Sequence, residues 1–230
     1  ILEKNSGVAE VNSHPLNNSQ TSHDGGTETN YTLEHALKIK PAAVALRRYV
    51  ESRKERNLFK KTHRMVLGVG EKEVRLLKKR FELFKDYYPD LRLVGPNELA
   101  RIEPMVMKGR NSKQPVCALV STEGYAINYQ KLSESFLKDA KAENKELGVF
   151  FNTKIKSARR ENGRYVLETN NGIFAAEVTI FAAGPYSLLF AQELEVPEAK
   201  NLAIMPVAGS FFSAGKWLSG KVYRVQLEGR

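Results

Sequence analysis

Cysteine is nearly missing: Cys117 is the single one in 230 residues. That excludes an internal disulfide and any zinc or iron–sulfur site built from several thiolates within this chain, and it suits a reducing, cytoplasmic setting. Long apolar runs are missing too. No stretch approaches the ~18–20 unbroken apolar residues of a membrane-spanning helix, and Ile1 is not followed by a charged leader and an apolar signal core. Neither secretion nor membrane insertion is expected, and no metal site is expected either. Internal repeats and low-complexity tracts are absent.

What is present is ample apolar material, 42% of the residues, enough for one substantial core or parts of two domains. The formal net charge is +10. Two basic clusters carry much of it: Arg47, Arg48, Arg53, Lys54 and Arg56 with Lys60, Lys61 and Arg64, then Arg75, Lys78, Lys79 and Arg80. Glu51, Glu55, Glu71, Glu73 and Glu82 are interleaved with them, which favours solvated helix faces over a functional patch. A basic module gripping nucleic acid through Arg47 to Arg80 is the competing reading, and it demands an affinity that falls steeply with salt. No aromatic-interleaved basic strand or reader motif supports it, so no nucleic-acid partner is expected.

Ile1-Leu2-Glu3-Lys4 has the form of a strand end, and its abrupt start suggests an internal piece of a longer protein. Val8 to Tyr31 is rich in Asn, Ser, Thr, Gly and His and reads as a long polar loop, of the kind that is usually functional. Apolar periodicity predicts a helix from Leu33 that breaks or kinks at Pro41. It also predicts a strand over His63 to Gly70, and a helix carrying Val74, Leu77, Phe81, Phe84 and Tyr88 that Pro89 stops. A short helix is expected over Asn97 to Ile102 and a strand over Val116 to Ser121. Asn128 is placed to cap a helix with Leu132, Phe136, Leu137 and Ala140 facing inward. Strands are then expected at Gly148 to Ser157, Arg164 to Thr169 and Ile173 to Ala183, joined by turns at Asn162-Gly163 and Asn170-Asn171-Gly172. A helix from about Tyr186 to Gln192 and strands near Val207 to Phe212 and Val222 to Leu227 complete the pattern.

Three stretches have the form of dinucleotide-binding chemistry. In such units an acid ending the second strand accepts hydrogen bonds from ribose hydroxyls, ~20 residues after a glycine turn. Glu3 is placed as that acid, although the glycine turn itself is not in the sequence. Val178 to Ser187, an apolar strand running into Ala182-Ala183-Gly184, would let backbone pass close to a dinucleotide and aim helix amides at phosphate; a buried strand with an ordinary glycine turn is the plainer reading. The polar loop Asn12 to His23, followed by Glu28 to Thr32, either serves a ligand or satisfies its own backbone.

Taken together, Asn17-Asn18, Thr21-Ser22-His23, Glu28 to Thr32, Ile102-Glu103-Pro104, Met107 to Arg110, Ala126 to Tyr129 and Pro206 to Phe212 resemble the malate:quinone oxidoreductase family, in order and over most of the chain. The resemblance implies an α/β fold, α+β overall: an incomplete glutathione-reductase-like FAD-binding domain with a second mixed sheet-and-helix substrate domain. On that reading residues 1–32 and 116–200 are parts of a discontinuous FAD-binding domain, and 33–115 and 201–230 parts of the substrate domain. Asn17, Asn18, Ser19, Gln20 and Thr21 would run along the flavin and pyrophosphate, Thr153, Lys154 and Ile155 would approach the adenine end, and Ala182, Ala183 and Gly184 the pyrophosphate. The family most often has Ala-Gly where this chain has Ser19-Gln20, which leaves the substrate open.

The implied activity is FAD-dependent oxidation of a 2-hydroxy acid, foremost malate to oxaloacetate, with a quinone acceptor and peripheral attachment to the inner face of the cytoplasmic membrane. An oxidase or dehydrogenase for 2-hydroxyglutarate or an amino acid is the alternative. An isolated piece lacking the glycine turn would be inactive and would bind flavin weakly or not at all. His23 is a candidate base, or else a solvated loop residue. Arg110 and Arg224 are candidate partners for a substrate carboxylate.

Overall fold

The computed structural model describes residues 1–143, 146–205, 207, 209 and 217–226. Contacts divide the chain into two compact units, each discontinuous in sequence: Ile1–His14 with Ser133–Phe212, and Pro15–Leu132 with Ser213–Arg230.

The second unit is built on a four-stranded sheet. Its strands are β1 (Phe59–Val69), β2 (Leu91–Val94), β3 (Val116–Ile127) and β7 (Lys221–Arg224), in the order β2-β3-β1-β7. The β1 and β3 strands run antiparallel over nearly their full length, from Phe59 opposite Ile127 to Val69 opposite Val116, while β7 runs parallel to β1. Both outgrow the predicted segments at 63–70 and 116–121, because each supplies the other's hydrogen-bond partners and extends as far as they last. Pairing with β1 and β2 also places 116–127 in this unit, where the sequence reading put the flavin domain, and the unit boundaries fall at 14/15 and 132/133 rather than at 32/33 and 115/116.

Four helices, one of them a single turn, complete the sheet's covering. Thr32 caps α1 (Leu33–Ser52) by accepting from the His35 N–H, and the helix runs unbroken through Pro41 instead of dividing there. The α2 helix (Glu71–Phe84) ends five residues short of Pro89. Its expected last apolar residue, Tyr88, turns back so that its hydroxyl donates to the carbonyls of Asp24 and Ala36. Pro96 opens α3 (Pro96–Ile102), and Pro104 opens the single turn α4 (Pro104–Met107). One face of the sheet packs Val66, Cys117 and Leu119 against Val74, Leu77 and Phe84 of α2. The other packs Met65, Leu67, Ala118 and Val120 against Leu99 of α3. Alternation along β1 and β3 thus feeds two cores, as period-two geometry requires.

The unit division falls within α5 (Tyr129–Glu143), which Asn128 caps through its side chain and carbonyl as expected. Phe136 is 48% exposed, contrary to its assignment to the inner face.

In the first unit, β4 (Ile155–Glu161), β5 (Arg164–Thr169) and β6 (Gly172–Ala176) form an antiparallel meander. Asn162 and Gly163 take φ of 49° and 79° in the β4–β5 turn, the left-handed pair that an Asn-Gly hairpin favours. Residues 1–3 lie parallel to 148–153: Phe150 N donates to the Ile1 carbonyl, Glu3 N to Phe150 and Thr153 N to Glu3. The expected strand over 148–157 is therefore a short bridge followed by β4. The expected strand over 173–183 stops at Ala176, and Val178 and Ile180 beyond it are 78% and 87% exposed. The α6 helix (Tyr186–Glu193) follows, and its Glu193 carboxylate accepts from the Ala158 N–H of β4. The strand expected near 207–212 lies for the most part outside the described residues. That near 222–227 is β7, displaced one residue earlier and ending at Arg224.

Candidate functional site

Two clusters of the singled-out residues form, one in each unit. In the first unit the parallel bridge sets Glu3 beside Thr153. One carboxylate oxygen of Glu3 accepts from both the backbone and the side-chain amide of Asn5, at 2.8 Å each. Thr153 is buried, donates to the Phe151 carbonyl and accepts from Asn171. Lys154 N is held by the Asn170 side chain, and Ile155 opens β4 opposite Thr169. Lys4 lies over the ring of Tyr186, 5.0 Å from its centroid, at the turn that contains Ala182, Ala183 and Gly184. These three are exposed, and Gly184 has φ of 58°, a conformation that disfavours a side chain. Ser187 fixes the turn by accepting from Ala183 N and donating to the Phe181 carbonyl. The fold thus sets Glu3 beside Thr153, and the next residue, Lys4, reaches the first residue of the helix that follows the Ala-Ala-Gly turn.

The polar loop Asn17 to Thr21 belongs to the second unit. Asn18 Oδ1 accepts from the backbone and side-chain amides of Gln20, which sits at a left-handed φ of 54°. Gln20 in turn accepts from Ile127 N through its carbonyl and from Tyr129 N through its side chain. Lys221 donates to the Ser19 carbonyl. Thr21 is buried, with its hydroxyl 2.6 Å from that of Tyr223. Asn17 is exposed at the outer end. Ser19 is thus tied to β7, Gln20 to β3 and α5, and Thr21 to all three.

Farther along this loop, His23 and Glu28 meet at 2.7 Å, Nδ1 to Oε1. The His23 side chain is 42% exposed and that of Glu28 only 10%. Both line a cavity of about 450 Å³ whose wall includes Tyr31, Val66, Tyr223 and Arg224. The structure therefore joins His23 with Arg224, two candidates 201 positions apart, because parallel pairing sets Arg224 opposite Leu67 and Tyr223 opposite Val66. Arg224 Nη2 also reaches both oxygens of Glu73 at 3.1 Å. Arg110 is not in this wall; its Nε donates to the Val106 carbonyl.

Behind the cavity lies a buried ionic network. Arg64, 1% exposed, donates to the Ser22 carbonyl at 2.8 Å, to Glu28 at 3.2 Å and to Asp24. Asp24 also pairs with Arg47 and accepts from Gly26 N. Arg80 holds the carbonyls of Gly25 and Tyr31. Arg47, Arg64 and Arg80 are thus not solvated helix faces, as their clustering suggested, but anchors of the polar loop. Gly124 makes room for Arg64: a Cβ there would lie 2.6 Å from the Thr62 carbonyl oxygen and 2.9 Å from Arg64 Cβ. Burial opposes ionisation of Asp24, yet the charges of Arg64 and Arg47 and the Gly26 N–H hold it below the usual carboxylate range. Burial likewise opposes Glu28, but the hydrogen bond from His23 and the Arg64 charge hold it low. For Arg64 burial is outweighed by Asp24 and Glu28, which raise it. Burial takes Arg80 down to about 10 and Tyr88 up to about 12.

A third cluster braces β7. Glu103, 1% exposed, accepts from His63, from Gly220 N and from the amide and hydroxyl of Ser219, just ahead of the strand that carries Tyr223 and Arg224. Glu28, Arg64, Asp24 and Glu103 all escaped identification from sequence as functional residues. Only the fold brings their charged partners near, apart from His23 five residues before Glu28.

Comparison with solved structures finds similar folds. The chain resembles an L-alpha-glycerophosphate oxidase from Mycoplasma pneumoniae solved with FAD bound, with a TM-score of 0.69 at 19% identity over 97% of this chain and 58% of that one. A glycine oxidase from Geobacillus kaustophilus gives 0.65 at 16% identity over 97% and 58%. Among curated proteins, a probable malate:quinone oxidoreductase of Helicobacter pylori (strain P12) is 35% identical over 98% of this chain and 51% of its own length. One from Campylobacter jejuni is 34% identical over 98% and 52%. The chain spans about half the length of the curated relatives it matches. Since the family model for malate:quinone oxidoreductase matches residues 1–223, nearly the whole sequence, the chain belongs to the malate:quinone oxidoreductase family.

Proposed function

We propose that the intact protein is an FAD-dependent dehydrogenase that oxidises a 2-hydroxy acid, malate, to the corresponding 2-oxo acid and delivers the electrons to a membrane quinone. The observation that carries this reading is the meeting of His23, Glu28 and Arg224 in one cavity, a base beside a cation suited to a carboxylate. Bound FAD would supply the hydride acceptor and the electron store. Arg224 neutralises a substrate carboxylate, and His23 takes the hydroxyl proton as the carbon–hydrogen bond is broken. Glu3 accepts from the ribose hydroxyls at the adenosine end, with Thr153, Lys154 and Ile155 shaping the edge beside it. Ala182 to Gly184 serve the pyrophosphate, and Asn17 to Thr21 line the flavin.

No described helix is long and apolar enough to cross a membrane, and a quinone acceptor then calls for peripheral contact, on the cytoplasmic face. The test is turnover by the full-length protein with a quinone acceptor and a panel of malate, 2-hydroxyglutarate and amino acids. Malate alone should give its 2-oxo acid at a useful rate. Turnover of an amino acid in place of malate would overturn the substrate assignment.

A further inference from the structure

We propose that Glu28 is a positioning residue: with Arg64 behind it, its carboxylate fixes His23 in the tautomer that carries the proton on Nδ1 and leaves the Nε2 lone pair as the base of the cavity. The inference rests on the role given to His23 above and deepens it, by assigning which ring nitrogen reacts and what holds it.

The geometry gives Glu28 Oε1 two neighbours, His23 Nδ1 at 2.7 Å and Arg64 Nη1 at 3.2 Å. Arginine is a permanent donor. An oxygen that accepts from a guanidinium is held as carboxylate, and an ionised carboxylate has no proton to give. The proton in the His23–Glu28 contact therefore belongs to Nδ1, and a neutral imidazole protonated there presents its lone pair at Nε2. Arg64 itself is held by the Ser22 carbonyl and by Asp24, in space that Gly124 leaves open. The chain of support from β1 to the imidazole is thus Arg64, Glu28, His23.

A second observation separates this from simple loop anchoring. Glu28 Oε2 is buried and has no hydrogen-bond partner among the described residues. A buried carboxylate kept only to fasten the loop would be expected to satisfy both oxygens, since an orphaned buried acceptor is costly. Here both interactions fall on the oxygen that faces His23. Other titratable groups around the histidine are Tyr223, whose ring centroid is 6.3 Å away, and Arg224, from β7, and Tyr31 in the loop. Asp24 from the loop and Arg80 from α2 lie farther along the same network. Glu28 is the carboxylate in direct contact with the ring, with Arg64 directly behind it, so its removal leaves a cation facing the base.

The test uses the full-length flavoprotein. Nitrogen-15 shifts of labelled histidine, assigned by the signal lost in His23→Gln, should show wild-type His23 protonated at Nδ1 and bare at Nε2. The opposite tautomer overturns the proposal, and this measurement needs no Glu28 variant to fold. In Glu28→Gln, kcat for malate should fall at least ~10-fold, within the ~10²–10⁴ that a positioned base contributes. KM should change less than ~3-fold, because Arg224 is untouched, and the acidic limb of the pH–rate profile should move to lower pH by roughly one unit or more. Glu28→Asp should restore the limb. An unmoved limb, with a mere loss of thermal stability, would make Glu28 a loop anchor and sink the idea. If malate is not turned over at all, the substrate reading fails while the tautomer measurement still decides the dyad.

Discussion

The two units differ in how completely they satisfy themselves. In the second, β1 and β3 pair over nearly all of their length, two cores fill both faces of the sheet, and even Arg64 is buried with its charge met by Asp24 and Glu28. In the first, a three-stranded meander stands beside a segment, 177–183, that is apolar yet unpaired by any described strand, with Ile180 87% exposed. Closed hydrogen-bonding and paired charge make a cavity whose groups are held; in the open segment Val178 and Ile180 stand exposed outside any described strand. The proposed substrate chemistry thus sits in the self-contained unit and the proposed dinucleotide edge in the open one.

The largest effect that would break this contrast comes from Arg64. Arg64→Met leaves the carboxylates of Asp24 and Glu28 buried without their shared cation, at a cost of about 3–5 kcal/mol. Arg164→Met, which removes the exposed partner of Glu177 in the first unit, should cost under about 1 kcal/mol. Thermal unfolding of the full-length protein reads both, and equal shifts would deny that the buried network matters. Next, Glu3→Gln should weaken FAD retention by about 10–100-fold, the equivalent of one lost charge-assisted hydrogen bond at roughly 1.5–3 kcal/mol. Flavin release followed by fluorescence measures it, and unchanged retention would remove Glu3 from the site.

Acid sharpens the comparison further. Against the opposing effect of burial, Asp24 is held below the usual carboxylate range by Arg64 and Arg47, Glu28 by His23 and Arg64, and Glu103 by the Ser219 and Gly220 amides. Groups depressed on folding contribute stability that is full above the unfolded values and is lost as pH falls through the folded ones. The second unit should therefore loosen below about pH 4. Peptic nicking at successive acid pH values, with cuts appearing between residues 15 and 132 as that point is passed, checks the sign. The smallest effect concerns 178–182: in the full-length protein these amides should exchange slowly, because the flavin-domain reading gives them a neighbouring strand there. Fast exchange would leave them as plain loop.

Local signals were legible in the sequence. The strand at Arg164 to Thr169 matches its expected limits, and the turn at Asn162-Gly163 and the cap at Asn128 follow from residue chemistry within a few positions. Elements whose limits depend on a distant partner were not. The β1 strand gained four residues from β3, the 173–183 strand ended at Ala176, opposite Tyr165 near the start of its antiparallel partner β5, and α2 stopped short because Tyr88 was claimed by Asp24 and Ala36. The same rule divides the site. His23 and Arg224 could be singled out as residue types, but Arg64 meets Ser22, Glu28 and Asp24 across 42, 36 and 40 positions, and a basic cluster viewed one residue at a time looks solvated.

The most direct test of the central claim is the visible spectrum of the purified full-length protein before and after anaerobic addition of malate. The account predicts a flavin band that bleaches with malate, and one that persists in His23→Gln over the same interval. A band indifferent to malate in the wild type would contradict the substrate, and a folded protein with no flavin band would contradict the account as a whole.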